Sequence, residues 1–183
     1  MELIKDLKQS KILRNVFIAL MGTVLLAISS KIKIPFYPVP MTMQTLVVMF
    51  LGITLGWKLG VATVVLYLFE GIIGLPVFSS SPEKGVGMVY FTGPTMGYLF
   101  GFLVASFLSA FINIKDNFLI IFLKLSISVS TIYILGILWL GTLIGWDKPV
   151  FSLGVTPFLL AEFFKITLLT LLAKKIIRFR DFI

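Results

Sequence analysis

Apolar residues are concentrated in six long runs along this chain, and polar positions gather between them. The runs cover about residues 14–30, 41–56, 59–74, 95–112, 117–143 and 155–172. Each approaches the ~20 residues an α-helix needs to cross a bilayer core, so the pattern predicts six transmembrane helices. Several runs are short, and the second and third are parted only by Trp57 and Lys58. Short spans call for little tilt, or for a compact bundle in which apolar re-entrant loops complete the depth. Two connections, residues 31–40 and 74–94, are rich in Pro or Gly yet also carry Val77, Phe78, Val86, Met88, Val89, Tyr90 and Phe91. Loops this apolar are expected to fold back onto the bundle as a lid. No soluble module, long linker or internal repeat interrupts the pattern, so residues 1–183 read as one domain.

Composition agrees with the pattern. The chain is 58% hydrophobic and 13% charged, with a mean hydropathy of +1.07. A soluble domain of this length could not hide so much apolar surface, because folding still leaves roughly a third of the unfolded chain's surface exposed. The fold class is therefore all-α and integral to a membrane. The N-terminus has a basic start before an apolar run, as signal peptides do. The run is followed by Ser29, Ser30, Lys31 and further spans, so it reads as a retained first helix.

Charge then orients the bundle. Lys5, Lys8, Lys11 and Arg14 precede the first run, Lys58 divides the second from the third, and Lys115 and Lys124 flank the start of the fifth. Lys174, Lys175, Arg178 and Arg180 follow the sixth, whereas the opposite connections hold only Lys31, Lys33, Lys84 and Lys148. With six crossings, the positive-inside rule places both termini in the cytoplasm. The net charge of +8 is thereby absorbed by orientation, with no basic patch interleaved with aromatics to suggest nucleic acid.

The absence of Cys and His removes disulfides and the usual nitrogen and thiolate metal ligands, so neither a metal nor a cofactor is expected. No phosphate-binding G-x-x-x-x-G-K-[ST] loop or dinucleotide fingerprint is present, and no nucleophile with a base forms a catalytic set. The chain is read as neither an enzyme nor an ATPase.

A few polar residues lie inside the apolar runs. Glu162 and Lys165 share the sixth run at i, i+3 spacing, on one helix face. Each costs about 2.5–3.5 kcal/mol at a helix centre, so the pair is either a structural tie to a neighbouring helix or a grip on a polar ligand. Glu70, near the end of the third run, either reaches the interface, contacts a ligand or carries a proton. Gln44 and Tyr67 either bond neighbouring helices or face a ligand. The GPTMGY stretch from Gly93 to Tyr98 opens the fourth run, with Pro94 and Thr95 at the helix start. It is either plain helix initiation or, with Tyr90 and Tyr98, a ligand platform. In the first run Ala19, Thr23 and Ala27 recur every four residues beside Gly22, which suits either packing within the bundle or a docking seam for another subunit.

Taken together, PVPMTMQTL from Pro38, GLPVF ending at Phe78, and GPTMGYLFGFLVA from Gly93 closely resemble the BioY family of biotin transporters. That family supplies the biotin-specific S-component of energy-coupling factor transporters. The resemblance spans about residues 19–174 and implies a six-helix protein of a prokaryotic cytoplasmic membrane that binds biotin from outside. It assigns the ligand role to Glu162 and Lys165, and further contacts to Gln44, the loop around Phe78, Thr95 and Tyr98. It also implies docking of the first helix, at Ala19, Thr23 and Ala27, on a transmembrane coupling subunit served by two ATPase subunits. A different reading of the acidic residues is a solitary ion-coupled transporter with Glu70 or Glu162 carrying the proton. The chain departs from the family pattern in three places: Glu162 where Asp is usual, SSSPEKGVGM after GLPVF where Gly is frequent, and Glu70 where a small or apolar residue is common.

Overall fold

In the computed structural model, residues 2–182 are described, with side chains from 11 to 180. Lys5 and Lys8, two of the orientation signals, lie outside the described side chains. The chain folds as α1 (Glu2–Lys31), a two-stranded antiparallel ribbon of β1 (Lys33–Ile34) and β2 (Met41–Thr42), α2 (Gln44–Ile72), α3 (Met96–Ser109), α4 (Phe118–Ile144), α5 (Val150–Gly154) and α6 (Leu159–Ile176). Short 3₁₀ turns cover Gly87–Thr92, Thr156–Phe158 and Ile177–Phe182.

The second and third apolar runs form a single helical element broken at Gly56, where φ is 74° and ψ is 175°. That conformation is open essentially to glycine alone, so the chain reverses there. The reversal is read directly from side chains: Gln44 Nε2 donates to the Tyr67 hydroxyl at 2.8 Å although 23 residues separate them. A continuous helix of that length would hold them about 35 Å apart. A Cβ at Gly60 would come within 3.2 Å of the Gly52 Cα, so the two arms pack backbone to backbone. Small residues allow this closeness where lipid supplies no hydrophobic drive between helices.

Among the described residues, four helical stretches are long and apolar enough to cross a bilayer: Lys11–Lys31, Gln44–Ile72, Phe118–Ile144 and Val150–Arg180. The fourth predicted run is shorter than expected, with α3 covering only 14 residues. It lies between α2 and α4, with Gly97 against Leu135 and Trp139 and Gly101 against the Ile132 backbone. Elsewhere, large apolar side chains such as Phe17, Phe164 and Leu171 point outward, as lipid-facing surfaces require.

The start of α2, the end of its second arm, the starts of α3 and α6 and the ends of α1 and α4 meet at one end of the bundle. The loop over residues 73–95 and the β1–β2 ribbon cover that end. Apolar anchors hold the loop, as expected of a lid. Phe78 is buried against Tyr67, Tyr90 and Phe91, with ring centroids 5.4, 4.7 and 5.4 Å away. Its ring occupies the space that a Cβ at Gly71 would need.

Candidate functional site

Glu162 and Lys165 lie in the first two turns of α6 and are 4% and 6% exposed. Their ion pair measures 2.8 Å between Lys165 Nζ and Glu162 Oε1. Burial of two charges is tolerable because each is also hydrogen-bonded. Lys165 Nζ donates to the Thr42 carbonyl at 2.7 Å and to Thr45 Oγ1 at 3.0 Å. With the bond to Glu162, its three N–H donors are all engaged. The Thr45 hydroxyl donates to Glu162 Oε1 at 2.8 Å and Oε2 at 3.0 Å, and Tyr133 OH donates to Oε1 at 3.1 Å. Oε1 therefore serves three donors, while Oε2 shares only the Thr45 hydrogen and keeps capacity to accept another.

Glu162 lies on the wall of a cavity of about 50 Å³ at the covered end of the bundle. Other polar residues converge there from around the bundle: Thr42 from β2, Gln44 and Thr45 from α2, Ser79 and Tyr90 from the covering loop, Thr95 and Tyr98 at the start of α3, and Tyr133 from α4. Leu99, Phe102, Ile132 and Phe158 supply apolar walls. The aromatic side is fixed by the fold: Tyr98 lies 6.0 Å edge-on from Tyr133, and Tyr133 stacks on Phe158 at 5.9 Å. Tyr98 sits over Gly136, whose missing side chain leaves room for the ring, and its hydroxyl donates to the Gly154 carbonyl at 2.9 Å. Burial raises the Tyr90 phenol above its usual range, so it acts as a neutral donor, to the Ser79 carbonyl at 2.6 Å.

The structure thus brings Glu162, Gln44, Tyr90, Thr95 and Tyr98 together around one cavity. Three other expected site residues stand behind its wall. Lys165 anchors Glu162 from the far side, where a larger, mainly apolar concavity of about 440 Å³ runs beside Met43, Leu46 and Phe164. Tyr67 is fully buried; it accepts from Gln44 and donates to the Val77 carbonyl at 3.0 Å, so it joins the cavity wall to the covering loop. Phe78 anchors that loop and does not line the cavity.

Two further features of the sequence lie outside the cavity. Ala19 and Thr23 are buried and Ala27 partly so. Gly22 beside them sits against Thr63 and Leu51 of α2, so in this conformation the stripe packs against α2 within the bundle. Small residues are where two helices approach most closely. Glu70 accepts a hydrogen bond from Thr23 Oγ1 at 2.9 Å across that seam and does not line the cavity.

Thr45, Tyr133, Ser79 and Phe158 escaped the sequence reading. Tyr133 carried a usable signal, a hydroxyl in the middle of a long apolar run. Thr45 was legible as the neighbour of Gln44. Nothing local distinguishes Ser79 from Ser80 and Ser81.

Family comparisons decide the affiliation. The sequence pattern of the BioY family matches residues 4–181. The chain belongs to the BioY family. Among its relatives, the Thermotoga maritima biotin transporter BioY is 32% identical over 155 residues, covering 84% of this chain and 90% of that one. The Lactococcus lactis biotin transporter BioY2 is 32% identical over 176 residues, covering 94% of each. A probable biotin transporter BioY of Pyrococcus horikoshii is 29% identical over 163 residues, 89% of this chain and 96% of its own. A crystal structure of the S-component for biotin from an ECF-type ABC transporter shares the fold, with a TM-score of 0.75 and 24% identity over 91% of this chain and 92% of that one. Family membership and the long apolar helices make this a multi-pass membrane protein.

Proposed function

We propose that this chain captures biotin at the outer face of a prokaryotic cytoplasmic membrane and serves as the substrate-binding component of an importer. The observation that carries the reading is Glu162. A buried carboxylate, held by Thr45, Tyr133 and Lys165, keeps one oxygen able to accept in a cavity lined by aromatic rings. A cyclic urea offers N–H donors of the complementary kind, and a charged acceptor makes that hydrogen bond roughly twice as strong as a neutral one. The fused rings lie against Tyr98, Tyr133 and Phe158, and Gln44, Thr95 and Ser79 meet the remaining polar atoms. Lys165 acts by fixing the carboxylate, since its own donors are engaged.

At about 50 Å³ the cavity is well below the roughly 300–1,000 Å³ typical of small-molecule sites. Capture therefore requires the ribbon or the 73–95 loop to move outward and close again. Six crossings, with the two arms of α2 counted separately, put both termini in the cytoplasm and the covered end outside, in keeping with basic residues at the opposite end. Energy comes from partners: a transmembrane coupling subunit and two ATPase subunits. Glu70, tied to Thr23 outside the cavity, gives no support to a proton-coupled solitary carrier.

The test is a calorimetric titration of the detergent-purified chain with biotin, repeated on Glu162→Ala, together with a search for subunits that co-purify with the tagged chain. Saturable binding by the wild type that is lost in the variant is expected. Absence of biotin binding by a folded wild type would sink the proposal.

A further inference from the structure

The end of α1 makes contacts that neither the cavity nor helix packing accounts for. Lys31 Nζ donates to the carbonyl oxygens of Pro76 at 2.8 Å, Phe78 at 2.9 Å and Ser81 at 2.9 Å. The three N–H bonds of one ammonium thus meet three backbone acceptors of one short segment. Its neighbours reinforce the hold: Ser30 Oγ donates to the Val77 carbonyl at 2.7 Å, and Lys33 Nζ to Ser80 Oγ at 2.9 Å.

The segment needs such a centre. Residues 76–81 belong to no helix or strand, and Ser80 has a left-handed φ of 59°, uncommon for a residue with a side chain. Carbonyls that would otherwise enter a ladder turn toward a single cation instead. On the other side of the same segment, Ser79 forms part of the cavity wall, and its Oγ is buried with no hydrogen-bond partner. Tyr90 bonds the Ser79 carbonyl from the loop side. Ser79 is therefore held from two directions with its hydroxyl left for something in the cavity, since an unpaired buried hydroxyl is otherwise costly.

We propose that Lys31 is a positioning residue for ligand capture: it fixes the 76–81 segment so that Ser79 Oγ contacts the bound ligand, and its contacts must break before the ligand leaves. The inference rests on the biotin-binding reading and adds to it a residue outside the cavity that governs residence time. It also makes the end of α1 the first element to feel the covering loop move.

The experiment measures the dissociation rate of labelled biotin from the purified full chain in an excess of unlabelled biotin, for wild type, Lys31→Met, Lys31→Arg, Ser79→Ala and the Lys31→Met/Ser79→Ala double variant. Loss of several charge-assisted hydrogen bonds should speed release from Lys31→Met about tenfold. Lys31→Arg should recover part of that loss. The double variant should release biotin no more than about twofold faster than the quicker single variant, because the two residues act through one contact. A purely structural lysine would instead lower the unfolding temperature and the fraction of active protein, leaving the release rate of that fraction unchanged. That result, strictly multiplicative effects in the double variant, or Lys31→Arg behaving as Lys31→Met would each overturn the proposal. Should Lys31→Met not purify folded, Lys31→Gln replaces it, and its release must still be faster than wild type. Failure of the wild type to bind biotin would instead count against the ligand assignment, a distinguishable outcome.

Discussion

Tyr133 on α4 donates its phenol hydrogen to Glu162 Oε1 on α6 at 3.1 Å, so a residue from the middle of one apolar helix sets the charge distribution of the carboxylate on another. With Oε1 also receiving Thr45 and Lys165, Oε2 is the less occupied oxygen and keeps capacity to accept another hydrogen. Tyr133→Phe keeps the ring on Phe158 and Tyr98 but frees Oε1 to compete. A hydrogen bond to a charged group contributes about 1.5–3 kcal/mol. Biotin affinity should fall about tenfold or more, with little change in unfolding temperature. Calorimetric titration checks this, and an unchanged Kd would separate the phenol from binding.

Lys165 and Glu162 form a buried pair, and breaking such a pair leaves an uncompensated charge at a cost of about 3–5 kcal/mol. Lys165→Met should therefore unfold at a markedly lower temperature than wild type. Glu162→Gln/Lys165→Met removes both charges and should regain most of that stability, yet bind no biotin. Thermal unfolding in detergent followed by biotin titration distinguishes the two effects. A double variant that binds as wild type would deny the carboxylate its role.

The run boundaries and the polar residues within them were the legible part of this chain. Charges inside apolar helices are expensive, which is why Glu162 and Lys165 stand out in the sequence itself. Gln44 stands out for a different reason, as a neutral amide within a span that needs a hydrogen-bond partner. What spacing could not reveal is direction across helices. Lys165 faces the Thr42 carbonyl and Phe78 faces Gly71 because of how α6, α2 and the covering loop meet, and no local pattern encodes that meeting. The Ala19, Thr23 and Ala27 stripe shows the same limit. Small residues announce a close approach, but whether the approaching helix belongs to the same chain depends on the fold. Here Gly22 meets Thr63 of the same chain.

Gly56 reverses the chain between the two arms of α2 at φ 74°, with no atom within 4 Å of where a Cβ would lie. The cost of Gly56→Ala is thus conformational and not steric, about 1–3 kcal/mol. For a chain of this size that corresponds to a fall of roughly 2–12 °C in unfolding temperature. Thermal unfolding of the purified variant checks the figure, and biotin affinity of the folded fraction should be unchanged, because the turn lies at the opposite end from the cavity.

Asp116, in the connection between α3 and α4, is subject to opposing influences. Partial burial favours its neutral form, but a 2.7 Å bond from Lys124 and a 2.8 Å bond from the Asn113 amide prevail and hold its carboxyl below the usual range. A depressed carboxylate stabilises the fold fully above its unfolded pKa, about 3.9, and loses that contribution as pH falls through the lower folded value. The stability difference between wild type and Asp116→Asn should therefore be level from pH 7 to about 5 and shrink below about 4. For a pair at the surface, its size at neutral pH should be at most about 1 kcal/mol. Unfolding measured across that pH range tests both the sign and the window, and a difference that grew on acidification would contradict the contacts.

Arg180 closes the end of the bundle opposite the cavity. Its Nε donates to the Ile53 carbonyl at 2.6 Å, and its Nη2 to the carbonyls of Gly52 at 3.2 Å and Ala110 at 2.8 Å. Helix ends leave their last four carbonyls without partners, and here one guanidinium serves two from the first arm of α2 and one just beyond α3. Thr54 takes the preceding carbonyls, with Oγ1 bonded to Phe50 at 2.8 Å. The fork is needed because Nε and Nη2 reach the three carbonyls from separate atoms, a spread that a single ammonium does not reproduce. Arg180→Lys should therefore lose stability almost as Arg180→Leu does, about 1–3 kcal/mol for carbonyls left unpaired. Unfolding temperatures of the two variants provide the measurement. A lysine variant as stable as wild type would show that charge alone, and not the planar fork, holds the three helices together.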